Sequence, residues 1–462
     1  MKKKVLILLP DGVGLRNFAF TRFYENMKRE YDVVFWNNTP FKLKEKLGIN
    51  EIGFKGGRIH LFTDILKASK NIIELKLSSK KFNDNTYLSY LFPKKNTTLK
   101  VLIKNMLMYF FVFFYKSENG VRKIQKMIDN VERKTLSYRY SIEELKKIDP
   151  SFVFCTNQRT SFAIAPVLAA KDLNIITSCF IFSWDNLPKA TLVVATDYYF
   201  VWSDYMKNEL ETYYPYLDEN QIKITGTPQF EPHFDQSLFD TKKEFFKKYD
   251  LDLGKEYICF SGDDITTSPY DEYYLEDLAK SIIQMNNQGY NLGIIYRKCP
   301  VDFSNRHMEI IEKYDEIIKC IDPIWSNYGN SWNSVMPQKE DMQLLVNTMK
   351  YSKLILNIGS SMVFDAMSHN VPCAYINYNT EKGDLNKWDI QKIYKFIHFK
   401  SMPSKNAVLW VHEIEDYKRI IIKVLKKEFS LSETKNWFNK IACSPQENAS
   451  SNIVKEIKEI IN

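Results

Sequence analysis

Paired cysteines are missing from this sequence. Its seven cysteines stand singly at 155, 179, 259, 299, 320, 373 and 443 of 462 residues, with no CxxC spacing. That pattern excludes a zinc ribbon or a vicinal redox pair and points to a reducing compartment. The six histidines are equally scattered, without HxxxH or HxH, so no metal site is expected. Long apolar runs are missing too. The run after the basic start MKKK has six residues and ends in Pro10-Asp11-Gly12, too short for a signal-peptide core, and reads as a first β-strand. Hydrophobic residues make up 45% and charged residues 26%, which excludes a disordered or polytopic chain. The length suits two or three domains.

Aromatic side chains and local positive charge are plentiful. Aromatics reach 15%, and between Lys94 and Lys147 there are 13 basic residues against 5 acidic ones, the rest of the chain being balanced. This stretch surrounds Val101–Tyr115, VLIKNMLMYFFVFFY, whose last nine residues are uninterrupted apolar and include six aromatics. Fifteen residues with Lys104 and Asn105 inside fall short of the ~20 needed to span a bilayer. An interfacial helix flanked by lysines at an anionic membrane surface and a buried helix beside a solvated basic neighbour both fit. Nucleic acid is not an expected partner, because no helix-turn-helix, zinc-finger or RNP-like pattern accompanies the charge.

Short apolar runs alternate with helical-period segments in two series. The first contains strands at 5–9, 31–36, 151–155, 175–182, 198–202 and 221–225, with helices at 16–29, 161–172 and 203–213 and a helix-rich basic insertion at about 40–147. The second contains strands at 257–261, 291–296, 317–321, 353–357 and 373–377 among helices that include 304–314, 340–351 and 361–369. This alternation predicts an α/β fold of two doubly wound, Rossmann-like domains facing a cleft. The expected boundaries are 1–225, 226–440 and a closing helix at 441–462.

Four turns at strand ends carry candidate chemistry. Asp11 follows the first strand in a glycine-permitted turn, as a cap or as a base; Asn17 stands where a dinucleotide fingerprint needs glycine, which excludes NAD and FAD. Ser183-Trp184-Asp185-Asn186 offers a carboxylate, an amide and an indole to a sugar, or an Asx turn with an anchored Trp. Arg297-Lys298-Cys299-Pro300 leaves a strand at its carboxyl edge, and Gly359-Ser360-Ser361 opens a helix; together they suggest a diphosphate or nucleotide site. Asp341 either meets ligand hydroxyls or stabilises its helix start. Asp263-Asp264 receives sugar hydroxyls or a proton, or is a solvated loop.

These elements in this order, with Ile224-Thr225-Gly226-Thr227-Pro228-Gln229-Phe230 at the junction, resemble bacterial GT-B glycosyltransferases of surface-polysaccharide clusters. The nearest likeness is to enzymes related to CDP-glycerol glycerophosphotransferases and the UDP-GlcNAc 2-epimerase superfamily. It covers about 150–380 and the first 40 residues; 40–147 matches no known pattern. The resemblance implies metal-independent transfer from a nucleotide sugar of UDP or CMP type, used as substrate with no cofactor, to a glycan or lipid-linked acceptor. Gly226, Thr227, Arg297, Lys298, Asp341, Gly359, Ser360 and Ser361 would form the donor side, and Asp11 first, Asp185 second, would act as base. Relatives carry histidine where Cys299 stands, which leaves more phosphate contact to Arg297 and the serines or indicates another donor, and argues against CMP. A 2-epimerase-like isomerase, a glycerophosphotransferase-like enzyme and a non-catalytic membrane- or glycan-binding subunit are the alternatives. The expected location is cytoplasmic, peripheral to the inner face of the membrane.

Overall fold

Parallel strands covered on both faces must be apolar on both faces, and the chain supplies such runs. The computed structural model describes residues 2–91, 98–329 and 334–462, so Lys94 and Lys95 of the basic stretch lie outside the described residues. Seven strands form the first sheet: β1 (Lys4–Leu9), β2 (Asp32–Asn37), β3 (Glu51–Gly53), β4 (Phe152–Cys155), β5 (Ile176–Phe180), β6 (Tyr198–Val201) and β7 (Ile222–Ile224). Their order is β3-β2-β1-β4-β5-β6-β7, and every pairing is parallel. In β1, Val5 to Leu9 are all fully buried. Beside it Phe18 meets Phe23, Phe154 and Phe180 edge-on at 5.0–5.2 Å.

The second sheet is built from β8 (Glu256–Ser261), β9 (Leu292–Arg297) and β10 (Ile318–Cys320), followed, after a hairpin of β11 (Trp325–Asn327) and β12 (Val335–Pro337), by β13 (Ser352–Asn357), β14 (Cys373–Ile376) and β15 (Leu409–Val411). Its order is β10-β9-β8-β13-β14-β15, again all parallel. Both orders place the earliest strand of the unit near the centre, as in a doubly wound fold.

The chain divides into two compact units. One contains residues 1–229, 396–398 and 440–462, and the other 230–395 and 399–439. The closing segment, expected to stand apart, therefore belongs to the first unit. There Cys443 N–H donates to Trp202 O (2.9 Å) and Lys458 pairs with Glu30 (2.8 Å).

Four local expectations change. The helix expected over 16–29 is two, Val13–Phe18 and Arg22–Glu30, with Thr21 capping the second through Phe23 N–H. Phe18, Phe20 and Phe23 are all buried, and residues two apart point to opposite sides of one continuous helix, so the break lets all three turn inward. The helix expected over 304–314 is only Met308–Lys313, because Asp302 holds Ser304 in an Asx turn through its N–H and hydroxyl. Strands β3 and β15 escape the sequence pattern at three residues each. The insertion proper starts after β3, as helices Thr63–Phe82, Leu99–Phe114, Glu118–Glu132 and Leu136–Ile148. Its core gathers Ile65, Ile73, Met108, Val112, Ile124 and Ile128.

Candidate functional site

In the first unit the chain passes from β1 through Asp11 straight into helix Val13–Phe18. Gly12 has ordinary right-handed backbone there (φ −72), so the turn itself does not need glycine. Gly14 does, because a Cβ would stand 2.5 Å from Thr156 Oγ1 at the end of β4. This close approach sets Asn157 beside Asp11. Asn157 Nδ2 donates to Asp11 Oδ2 (2.7 Å) and Val13 N–H to Oδ1 (3.2 Å). Burial pushes the Asp11 carboxyl from an ordinary value of 3.8 up to about 6, against the pull of those two hydrogen bonds and of the Arg159 and Lys67 charges.

Lys67 comes from the insertion helix Thr63–Phe82 and donates to Arg159 O (2.9 Å) and Ser161 Oγ (3.2 Å). Burial lowers its ammonium to about 8. With its pKa near 6, Asp11 is largely ionised at neutral pH and chemically able to accept a proton.

The Ser183–Asn186 loop after β5 is tied in by Gln158, whose Nε2 donates to Asn186 Oδ1 (3.0 Å) and whose Oε1 accepts from Phe182 N–H (3.2 Å). Asp185 accepts from Ser183 Oγ (2.6 Å), Asn186 Nδ2 (2.8 Å) and the Lys189 ammonium. Burial works to raise its pKa, but Lys189, His398 and these donors outweigh it and hold the carboxyl well below the usual range. So weak a base, with both oxygens engaged, is unsuited to take a proton; the geometry makes Asp185 the anchor of its loop. Trp184 is buried edge-on against His398 (4.9 Å), so its indole is a core contact and not a platform for a sugar. Gly226 and Thr227 are buried, and Thr227 Oγ1 accepts from Gln229 N–H (3.3 Å).

In the second unit Arg297 ends β9, and it is already engaged. Its Nη2 lies 3.0 Å from both oxygens of Asp341, which also accept Ile324 N–H and the Trp325 indole N–H (2.8 Å each). Arg297 and Asp341, read separately from the sequence, are thus partners, and Asp341 spends its oxygens on protein donors. Among the described residues Arg297 Nη1 is buried with no acceptor. Lys298 Nζ donates to Ser304 O (3.1 Å). Burial pushes the Cys299 thiol up to about 12, so it stays protonated.

The Gly359–Ser361 turn follows β13. Gly359 needs its positive φ (+68), and a Cβ there would stand 2.8 Å from the Phe399 ring. Asn357 Oδ1 accepts Ser360 N–H (2.9 Å), and Tyr375 donates its hydroxyl to Ser360 O (2.9 Å), so the turn is braced from behind. Ser361 stands at the helix start without capping it. The helix, Met362–Met367, has six residues with Asp365 in its first turn, so its dipole adds little, and the two serine hydroxyls are the donors on offer. Beside the turn, Asp263 Oδ2 accepts Ile358 N–H (3.4 Å), and burial with the nearby Asp271 raises its carboxyl well above the usual range. Asp264 instead caps Thr266 and Thr267.

Sequence reasoning missed Asn157, Arg159, Lys67 and a buried pair, His233 with Asp365 (2.8 Å), which His369 extends (2.9 Å). The polar run Thr156-Asn157-Gln158-Arg159 after β4 was a legible signal for the first two. Lys67 lies in an insertion with no motif, and His233 and Asp365 are 132 residues apart. Among the described residues no group of three or more His, Cys, Asp or Glu side chains could hold a metal ion.

No protein-family model matches the chain, and no curated protein matches it in sequence. Solved structures match it in fold. A protein from Listeria monocytogenes assigned as a UDP-N-acetylglucosamine 2-epimerase shares 10% identity with a TM-score of 0.56, over 100% of this chain and 97% of that one. Staphylococcus aureus MnaA, solved with UDP, shares 12% at 0.54, over 100% and 97%. The UDP-GlcNAc 2-epimerase of Methanocaldococcus jannaschii shares 15% at 0.52, over 99% and 100%. Identities this low establish a shared fold: the paired Rossmann-like units of the GT-B and 2-epimerase architecture.

Proposed function

We propose that this protein is a metal-independent glycosyltransferase that moves a sugar from a nucleotide-sugar donor to a hydroxyl of a cell-surface glycan or a lipid-linked acceptor. The observation that carries the reading is Asp11, a carboxylate at the carboxyl end of a central strand with its pKa raised to about 6. The first unit then serves the acceptor and the second the donor. Asp11 takes the acceptor proton as the acceptor oxygen bonds to the anomeric carbon; the bond from that carbon to phosphate breaks, and the electron pair leaves with the nucleotide. Arg297 Nη1, which has no acceptor among the described residues, Lys298 and the Ser360 and Ser361 hydroxyls are donors suited to the departing phosphate. Gly226 and Thr227 serve as backbone support at the junction and not as ligand contacts. A cytoplasmic enzyme seated peripherally on a membrane suits a lipid-linked acceptor and the unpaired cysteines.

The fold likeness favours a second reading, a 2-epimerase-like isomerase of a nucleotide sugar. Thermal shift with UDP, GDP, CDP, CMP and dTDP tests the common premise, since a ligand bound only by the native state raises the melting temperature. Proton NMR of the stabilising nucleotide's sugar conjugates then separates the two. Turnover only with acceptor supports transfer; epimerisation without acceptor overturns it. Stabilisation by no nucleotide overturns both.

A further inference from the structure

Helix Leu99–Phe114 of the insertion has two apolar sides, and the protein uses only one. Met108 and Val112 are buried in the insertion core, and Ser69 Oγ donates to Met108 O (3.1 Å). The other side carries Leu102, Ile103, Met106, Phe110, Phe113 and Phe114, each 38–65% exposed. These positions recur at three- and four-residue spacings, so they form one stripe along the helix. The Phe110 and Phe114 rings lie 4.6 Å apart and those of Phe113 and Phe114 5.2 Å, which makes the patch continuous. Soluble chains rarely leave such a surface to water without a partner for it.

Charge identifies the partner. The helix and its exit carry exposed Lys100, Lys104 and Lys116, with no acidic residue from Leu99 through Ser117. Lys116 Nζ sits 5.1 Å over the Phe113 ring, at the rim of the patch. An aromatic face rimmed by cations complements a bilayer of anionic lipid, where rings lodge at headgroup depth and lysines meet phosphates. A second copy of the chain fits poorly, since a two-fold contact on this face would set lysine rim against lysine rim. Crossing the membrane is excluded for this helix: 16 residues give about 24 Å against a core of about 30 Å. No helix among the described residues is long and apolar enough to cross.

We infer that the exposed face of helix Leu99–Phe114 docks the protein in the plane of an anionic membrane surface. This deepens the lipid-linked-acceptor reading, because it brings the enzyme to the surface where such an acceptor resides.

The test is sedimentation of the full chain with vesicles of phosphatidylcholine alone and of an equimolar mixture with phosphatidylglycerol, at low and high salt, with free inorganic phosphate as competitor. At low salt three lysines should favour the anionic vesicles on the order of 100-fold. High salt should reduce that preference, and inorganic phosphate should not displace the protein. Phe110→Ser with Phe113→Ser should abolish binding to both vesicles; Lys100→Gln, Lys104→Gln and Lys116→Gln together should remove only the anionic preference. Neither set should shift the melting temperature, because all five side chains are exposed. Absence of binding at low salt overturns the inference, as does a wild-type dimer that the Phe variant converts to monomer. Vesicle binding needs no nucleotide and the nucleotide panel needs no membrane, so either reading can fail without the other.

Discussion

Arg297 and Asp341 hold one another inside the second unit, 44 residues apart in sequence, with Nη2 3.0 Å from both carboxylate oxygens. Burial alone would raise the Asp341 pKa, but the guanidinium and the Trp325 and Ile324 donors hold it below the usual carboxylate value. Removing one partner strands a buried charge. Asp341→Leu should destabilise the protein by about 3–5 kcal/mol in urea unfolding, and Arg297→Met with Asp341→Leu should recover most of that loss. A double variant as unstable as the single would show that the pair matters through packing alone. If Arg297 also serves the donor phosphate, the recovered double variant stays deficient in nucleotide binding.

Asp11→Asn should lower kcat by ~10²–10⁴. In the wild type, kcat/KM should fall as pH drops below about 6, because protonation removes the base. Stability runs the other way. A carboxyl whose folded pKa is raised contributes stability below its ordinary 3.8 and loses it as pH rises through about 6. Asp11→Asn should therefore be about 1–3 kcal/mol more stable than the wild type at pH 8, with the gap closing at pH 4. An Asn variant that retains more than about a tenth of kcat excludes Asp11 as the base.

Lys67→Met removes one of the charges that pull the Asp11 pKa down. The acid limb of the kcat/KM profile should move to higher pH, by a fraction of a unit for one partly screened charge. A limb that stays in place would separate Lys67 from the base.

Asp185→Asn breaks the Lys189 pairing of a carboxylate held low. Such a group contributes stability above its ordinary pKa and loses it as pH falls through the folded value, so the melting-temperature deficit of the variant should be full at pH 7 and shrink below about pH 4. The acid limb of kcat/KM should not move, as expected for an anchor. A limb lost in Asp185→Asn and kept in Asp11→Asn would reverse the two roles.

Gly359→Ala must place a Cβ at φ +68 and 2.8 Å from Phe399, which should cost roughly 1–3 kcal/mol of stability. Ser360→Ala with Ser361→Ala should leave stability within about 0.5 kcal/mol. Calorimetric titration should nonetheless show nucleotide binding weakened by ~1–3 kcal/mol. Unchanged titration curves would remove the serines from the donor site.

The sequence by itself determined what depends on near neighbours along the chain. Runs such as VLILL in β1 and LGIIY in β9 must be buried on both faces, hence two parallel sheets, and the residues that follow them, Asp11 and Arg297, must emerge at the carboxyl edges. Three-residue β3 and β15 were illegible because only the adjacent strand makes them strands. Partnership and ionisation were decided by the tertiary structure. Nothing local says that Arg297 would meet Asp341, that Lys67 of an insertion would reach the Asp11 cluster, or that Asp11 would titrate near 6 while Asp185 is held low. Desolvation and charge pairing act through space, and so does the environment of Leu99–Phe114. Its last turns carry no polar side by which to read the buried face, and only packing against Ile65 and Ile124 turned Met108 inward and left Phe110 and Phe113 at the surface.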